Sequence, residues 1–156
     1  MKILRGDLIK LAKAGEFDVI IQGCNCQCRM GRGIALTIKQ QFPEAYTADC
    51  QTKIGDREKL GTFTIAHIDR DGYNFTIVNG YTQFNWQGEG VLADYDAIRS
   101  VFRQVKKQFG GQRIGYPKLG AGLARGDWEI ISQTIESELA GENHTYVEFV
   151  SACNIN

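Results

Sequence analysis

Two stretches of this chain combine residue types and spacing suited to holding an anion by backbone contacts. The first, Gln22-Gly-Cys-Asn-Cys-Gln-Cys-Arg-Met-Gly-Arg-Gly-Ile34, runs from an apolar strand pattern through a polar loop into a helical pattern. Gly31 and Gly33 let the backbone approach a ligand closely, and the helix beginning there aims unpaired N–H groups and a partial positive charge at it. That favours phosphate. The same glycines would also suit a strand-to-helix turn that binds nothing, so this loop alone leaves both readings open. Asn25, where the strand ends, offers an acceptor and two donors to a pair of sugar hydroxyls, or else closes an Asx turn.

The second stretch, Arg113-Ile-Gly-Tyr-Pro-Lys-Leu-Gly-Ala-Gly-Leu-Ala-Arg-Gly-Asp-Trp128, repeats the order strand, glycine loop, helix. Gly120, Gly122 and Gly126 form a loose dinucleotide-binding fingerprint. Such fingerprints open the first βαβ unit and need an acidic residue at the end of the next strand, whereas here that strand runs into Val150-Ser-Ala-Cys153. Two such units in one small domain can instead face each other and grip a diphosphate from both sides.

Other reactive residue types carry less. Cys24, Cys26 and Cys28 lack the paired spacing of a zinc site, so no metal is expected. His67 and His144 lie in or beside strand patterns and read as structural. Tyr81, Phe84 and Trp86, placed in a loop before the longest helix, suit either a lid or a packing cluster. Asp127 is a helix cap first and a substitute general base second.

The elements that must position these groups follow from periodicity. Strand patterns cover 2–4, 18–23, 63–67, 74–79, 113–117 and 146–150; helical patterns cover 7–14, 33–42, 44–52, 94–109 and 128–139. In the last helix Ile130, Ile131, Ile135 and Leu139 are expected to form one buried stripe. Asp69-Arg-Asp-Gly72 reads as a hairpin turn, so the sheet is expected to be mixed rather than purely parallel. The fold class is therefore α/β, a three-layer α/β/α sandwich around a mixed, mostly parallel six-stranded sheet.

With 156 residues and a 43% hydrophobic share, the sequence is expected to form a single domain, 1–156. Eighteen basic and eighteen acidic residues cancel, which argues against a generic nucleic-acid or membrane-surface binder. No apolar run reaches the roughly 18 residues of a membrane span, and the opening Met-Lys-Ile-Leu-Arg-Gly-Asp lacks a signal-peptide pattern. Five cysteines, an odd number, suit reduced thiols and a cytoplasmic location.

Gly23-Cys-Asn-Cys-Gln-Cys-Arg-Met-Gly-Arg-Gly-Ile-Ala35, then Gln41-Phe-Pro-Glu-Ala-Tyr46, resembles the first ligand loop and following helix of macrodomains. Arg5-Gly-Asp-Leu8, Tyr116-Pro-Lys-Leu-Gly-Ala-Gly-Leu123 and Asp127-Trp128 extend the resemblance over nearly the whole chain. It is nearest to the branch of the yeast ADP-ribose 1″-phosphate phosphatase, the terminal ADP-ribose glycohydrolase and the DNA ADP-ribosyl glycohydrolases. The resemblance implies ADP-ribose, or a derivative of it, as ligand, ADP-ribosylated macromolecules as further partners, and no cofactor. Asp7 would accept the adenine amino group and the Leu8 N–H would read the same ring; Asp7 also suits a helix N-cap before Leu8-Ile-Lys-Leu-Ala, and both roles can hold together. Asn25 would bind the distal ribose. Gly31, Gly33 and Ile34 would make the first phosphate loop, with Arg32 in place of a frequent glycine stiffening it and carrying a positive charge over the pyrophosphate, and Gly120, Ala121, Gly122 and Leu123 would make the second.

The departures bear on the reaction. The lysine of the glycohydrolase branch falls at Gln83, in Thr82-Gln83, and its acidic residue falls at Ala124. Gln22 stands where the yeast phosphatase has a histidine. Neither Gln22 nor Gln83 is a base at pH 7, but either can orient a water beside Asn25. The expectation is a hydrolase acting at the distal ribose, foremost on ADP-ribose 1″-phosphate. A non-catalytic ADP-ribose reader and a glycohydrolase acting on modified protein or nucleic acid are the alternatives.

Overall fold

A computed structural model describes residues 1–150. Residues 151–153 of the segment weighed against the dinucleotide fingerprint, the fifth cysteine among them, lie outside the described residues. The chain forms β1 (Lys2–Gly6), α1 (Leu8–Lys13), β2 (Val19–Asn25), α2 (Gly33–Gln41), α3 (Pro43–Cys50), a short 3-10 turn (Arg57–Lys59), β3 (Phe63–Arg70), β4 (Tyr73–Gln83), α4 (Tyr95–Phe109), β5 (Ile114–Tyr116), α5 (Trp128–Glu138) and β6 (His144–Phe149). The six strands make one sheet in the order β1-β6-β5-β2-β4-β3, with only the β3–β4 pair antiparallel. The expected mixed, mostly parallel sheet is what forms.

A central parallel strand must be apolar on both faces, and β2 is. Val19 and Ile21 point into a core shared with Ile98, Val101 and Phe102 of α4 and Ile131 and Ile135 of α5. Ile20 points the other way, toward Leu8, Ile9 and Ala12 of α1, Ile38 of α2 and Ala45 of α3. Helices thus cover both faces of the sheet. Helix α4 owes its place to the buried stripe Ala97, Ile98, Val101, Phe102, Val105 and Phe109, and burying each large side chain of this kind stabilises by about 1.5–3 kcal/mol. The Asp94 carboxylate caps it, accepting from Ala97 N at 2.9 Å.

The β3–β4 hairpin turns where the sequence pointed. Asp71 and Gly72 both take positive φ, 53° and 81°, as a two-residue turn between twisted strands requires. Two expectations need correction. Ile130 is 46% exposed, because a neighbour of Ile131 lies about 100° further round a helix; only Ile131, Ile135 and Leu139 are buried. Strand β4 also runs four residues past Asn79, because Gly80, Tyr81 and, across a bulge at Thr82, Gln83 stay paired with Gly23, Cys24 and Asn25 of β2. Tyr81 is therefore a strand residue, fully buried, not part of a loop.

Candidate ligand-binding cleft

Beyond the carboxyl ends of β2, β4, β5 and β6 lies a cleft of ≈ 440 Å³, within the size range of small-molecule sites. One wall is the loop after β2 with the first turn of α2, and the other is the loop after β5. They meet closely: a Cβ on Gly33 would stand 3.6 Å from Leu123 Cδ1. In the strand order, Asn25 and Gln83 at the ends of β2 and β4, with Trp86 against the loop after β2, stand at one end, and Val147 and Phe149 of β6 at the other.

The backbone supplies the donors. Arg32, at the N-cap of α2, gives no side-chain capping bond. The N–H groups of Gly33, Ile34 and Ala35 therefore stay unpaired among the described residues, and all three residues line the cleft. In the facing loop the tight turn is closed by Gly126 N donating to Gly120 O at 2.8 Å and Arg125 N donating to Gly122 O at 3.0 Å. That leaves the N–H groups of Gly120, Gly122 and Leu123 without partners among the described residues.

The glycines divide into two kinds. Gly33 and Gly120 have φ of 60° and 77°, so the turns themselves require them. Gly31 and Gly122 do not take that conformation, and an added Cβ at either would meet nothing within 4 Å. Their bare surface faces open space, Gly31 and Gly122 both lining the cleft.

The charged side chains lining the cleft are Arg29, Arg32 and Lys118, with no carboxylate or imidazole among the described lining residues. Asn25 is buried and clasps its own loop. Its Oδ1 accepts from Gln27 N at 2.9 Å and its Nδ2 donates to Arg29 O at 2.8 Å, so the Asx turn is present. The first loop also holds the segment after β4: Cys26 N donates to Phe84 O at 3.0 Å and Arg32 Nη2 donates to Trp86 O at 2.7 Å. Burial pushes the Cys24 thiol, which also lines the cleft, well up. It stays a neutral thiol rather than a nucleophile.

Beneath the first loop, Tyr81 Oη donates to Asp49 Oδ1 at 2.8 Å and Lys59 Nζ donates to Cys26 O at 3.3 Å. All four residues are buried. Burial raises the Asp49 carboxyl despite the opposing effects of the Tyr81 bond and the Lys59 charge. This polar cluster sits behind the loop and fixes its path.

Of the residues singled out by sequence, Asn25, Gly31, Arg32, Gly33, Ile34, Gln83, Gly120, Gly122 and Leu123 line one cleft, and Ala124 joins them. Gln22 does not. It is buried in the sheet, where its Nε2 donates to Asn79 Oδ1 at 2.9 Å, so it is removed from the position of a water-orienting group. Ala121 lies in the second loop without lining the cavity. Asp7 caps α1, accepting from Ile9 N at 2.9 Å and Lys10 N at 3.1 Å, while Leu8 is buried in the core. Both follow Gly6, which pairs with Phe149, so they stand beside the cleft's Phe149 end rather than within its lining. The Asp127 carboxylate caps α5 through Glu129 N at 2.9 Å and does not line the cleft. His144 is buried, 2.7 Å from Tyr116 Oη. Sequence reasoning passed over Arg29, Lys118 and Phe149. For Phe149 a signal existed: an aromatic side chain at the carboxyl end of the last strand, here 70% exposed.

A sequence model of the Macro domain family matches residues 21–135. The chain is 31% identical over 143 residues to an uncharacterized 17.5 kDa protein of Enterobacteria phage T4, encoded in the tk-vs intergenic region, with 88% of each covered. It is 29% identical over 133 residues to the DNA ADP-ribosyl glycohydrolase of Mycobacterium tuberculosis, covering 85% of this chain but 36% of that protein. Among solved structures, Thermosipho africanus DarTG in complex with ADP-ribose superposes with a TM-score of 0.72 at 16% identity, covering 97% of this chain and 42% of that one.

Proposed function

This chain belongs to the Macro domain family, and on that footing we propose that its cleft binds ADP-ribose and that the protein hydrolyses a derivative at the distal ribose, foremost the ester of ADP-ribose 1″-phosphate. The observation that carries the reading is the pair of facing glycine loops with unpaired N–H groups, Gly33 to Ala35 on one side and Gly120 to Leu123 on the other. A diphosphate between them would accept from both walls at once. Adenine then lies at the Phe149 end, near Asp7, and the distal ribose at the Asn25 and Gln83 end. The ADP-ribose held by the Thermosipho protein and the name of the mycobacterial relative support the same ligand.

For the ester, water attacks phosphorus, the bond to the 1″ oxygen breaks, and ADP-ribose and inorganic phosphate leave. Gln83 is the group that would orient that water; its Nε2 donates to Asn85 O at 2.8 Å and the residue lines the cleft, which supports the role. With no carboxylate or imidazole among the described residues lining the cleft, turnover is expected to be slow. Incubating the protein with ADP-ribose 1″-phosphate and measuring released phosphate tests this. Tight ADP-ribose binding with no phosphate released would sink the phosphatase assignment.

A second reading is a reader that holds ADP-ribose without cutting it, and the absence of carboxylate and imidazole from the described lining favours it. Removal of ADP-ribose from nucleic acid, as the mycobacterial relative's name suggests, or from protein would have to proceed with Gln83 and Ala124 in place of that branch's lysine and acidic residue. Assays on the ester, on ADP-ribosylated DNA and on ADP-ribosylated protein, run side by side, separate the three.

A further inference from the structure

Resting on that reading, we propose that Arg29 and Arg32, both set against the Trp86 indole, form a subsite for a phosphate carried by the distal ribose. The cleft would thereby select phosphorylated over unphosphorylated ADP-ribose. A diphosphate lodged between the two loops is already met by backbone N–H groups and the amino end of α2. The cleft nevertheless adds Arg29, Arg32 and Lys118, with no carboxylate among its described lining residues to balance them. Two of those cations gather at the end opposite Phe149, where a further anion would sit.

Their geometry is preset. The Arg29 guanidinium carbon lies 4.9 Å from the Trp86 ring centroid and that of Arg32 lies 5.9 Å away, within the range of cation–π attraction. Arg32 commits one N–H to Trp86 O. The Arg29 guanidinium makes no hydrogen bond or ion pair among the described residues, so its donors are free for a ligand. Stacking holds a guanidinium in place without using its N–H groups, which leaves its planar fork available for phosphate oxygens. Arg29 is also tied to the sugar site, because Asn25 Nδ2 donates to Arg29 O and Arg29 N donates to Asn25 Oδ1 at 3.3 Å. A ribose held at Asn25 would thus present its 1″ substituent beside Arg29.

Calorimetry with ADP-ribose and with its hydrolysis-resistant 1″-phosphonate tests this, each protein being scored by the ratio of the two dissociation constants. The native protein should prefer the phosphonate by about tenfold or more, as charge-assisted bonds to a guanidinium pair imply. Arg29→Gln and Arg32→Gln should each bring the ratio toward one, while Lys107→Gln, remote on α4, should keep it. Circular dichroism melting confirms that each variant is folded. If native protein binds ADP-ribose at least as tightly as the phosphonate, the subsite is refuted while the ADP-ribose reading survives; if it binds neither, both fall. An unchanged ratio in both arginine variants would remove these residues from the assignment.

Discussion

An alanine at Gly31 or Gly122 would extend a methyl group into space that, its chain neighbours aside, no atom of the described residues approaches within 4 Å. At Gly33 and Gly120 the backbone itself sits at positive φ, and at Gly120 a Cβ would also press to 3.1 Å on Ile131 and Ile98. The two kinds of glycine should therefore respond oppositely. Gly31→Ala and Gly122→Ala should melt at or slightly above the native temperature, since alanine restricts the unfolded chain by about 0.4–1 kcal/mol. Their ADP-ribose affinity should drop about tenfold or more, because the methyl group occupies the approach of the phosphates. Gly33→Ala and Gly120→Ala should lose about 1–2 kcal/mol of stability. Thermal melts paired with calorimetry check this; a Gly31→Ala protein that binds ADP-ribose as tightly as the native one would contradict it.

Between elements, Glu138 at the end of α5 ties that helix to α4, accepting from Arg99 Nη1 at 2.8 Å and from Arg103 Nη2 at 3.1 Å. The Arg103 hydrogen bond, assisted by Arg99, holds the Glu138 carboxyl below the usual range against the opposing effect of burial. A carboxylate whose folded value is depressed contributes stability that is present above its unfolded pKa of about 4.3 and is lost as pH falls through the folded value. Glu138→Gln should therefore melt about 2 °C lower at pH 7, a small gap because both arginines are largely solvated. The gap should close as the pH drops below about 4. Where such elements lie was largely legible in the sequence, because alternation, the Asp71-Gly72 turn and the caps Asp7 and Asp127 are local signals. The two glycine loops were legible for the same reason. What was not legible depends on partners distant in sequence: Arg29 meets Trp86 only once β4 lies beside β2, and the same pairing draws Gln22 onto Asn79 and away from the cleft. Ile130 was misplaced because the buried face of α5 is centred on Ile131, Thr134 and Ile135, and Ile130 falls to one side of it.

Over the whole molecule the charges cancel, yet the cleft is cationic and the balancing acids lie elsewhere. Several are engaged in pairs: Asp18 with Arg113, Glu44 with Arg70, Glu138 with Arg99 and Arg103. A neutral total is thus compatible with a local field that attracts a small anion. The position of that field, past the carboxyl ends of a largely parallel sheet, follows from the topology, because consecutive loops emerge there on the same side. The chain's two tryptophans divide between this rim and the body of the protein. Trp86 stands at the cleft under two guanidinium groups, while Trp128 leans on Tyr146, ring centres 4.7 Å apart, on the α5 side of the sheet. Ultraviolet emission should accordingly carry one component that shifts as ligand is titrated and one that holds level, an optical gauge of occupancy needing no label, with Trp86→Phe as its blank.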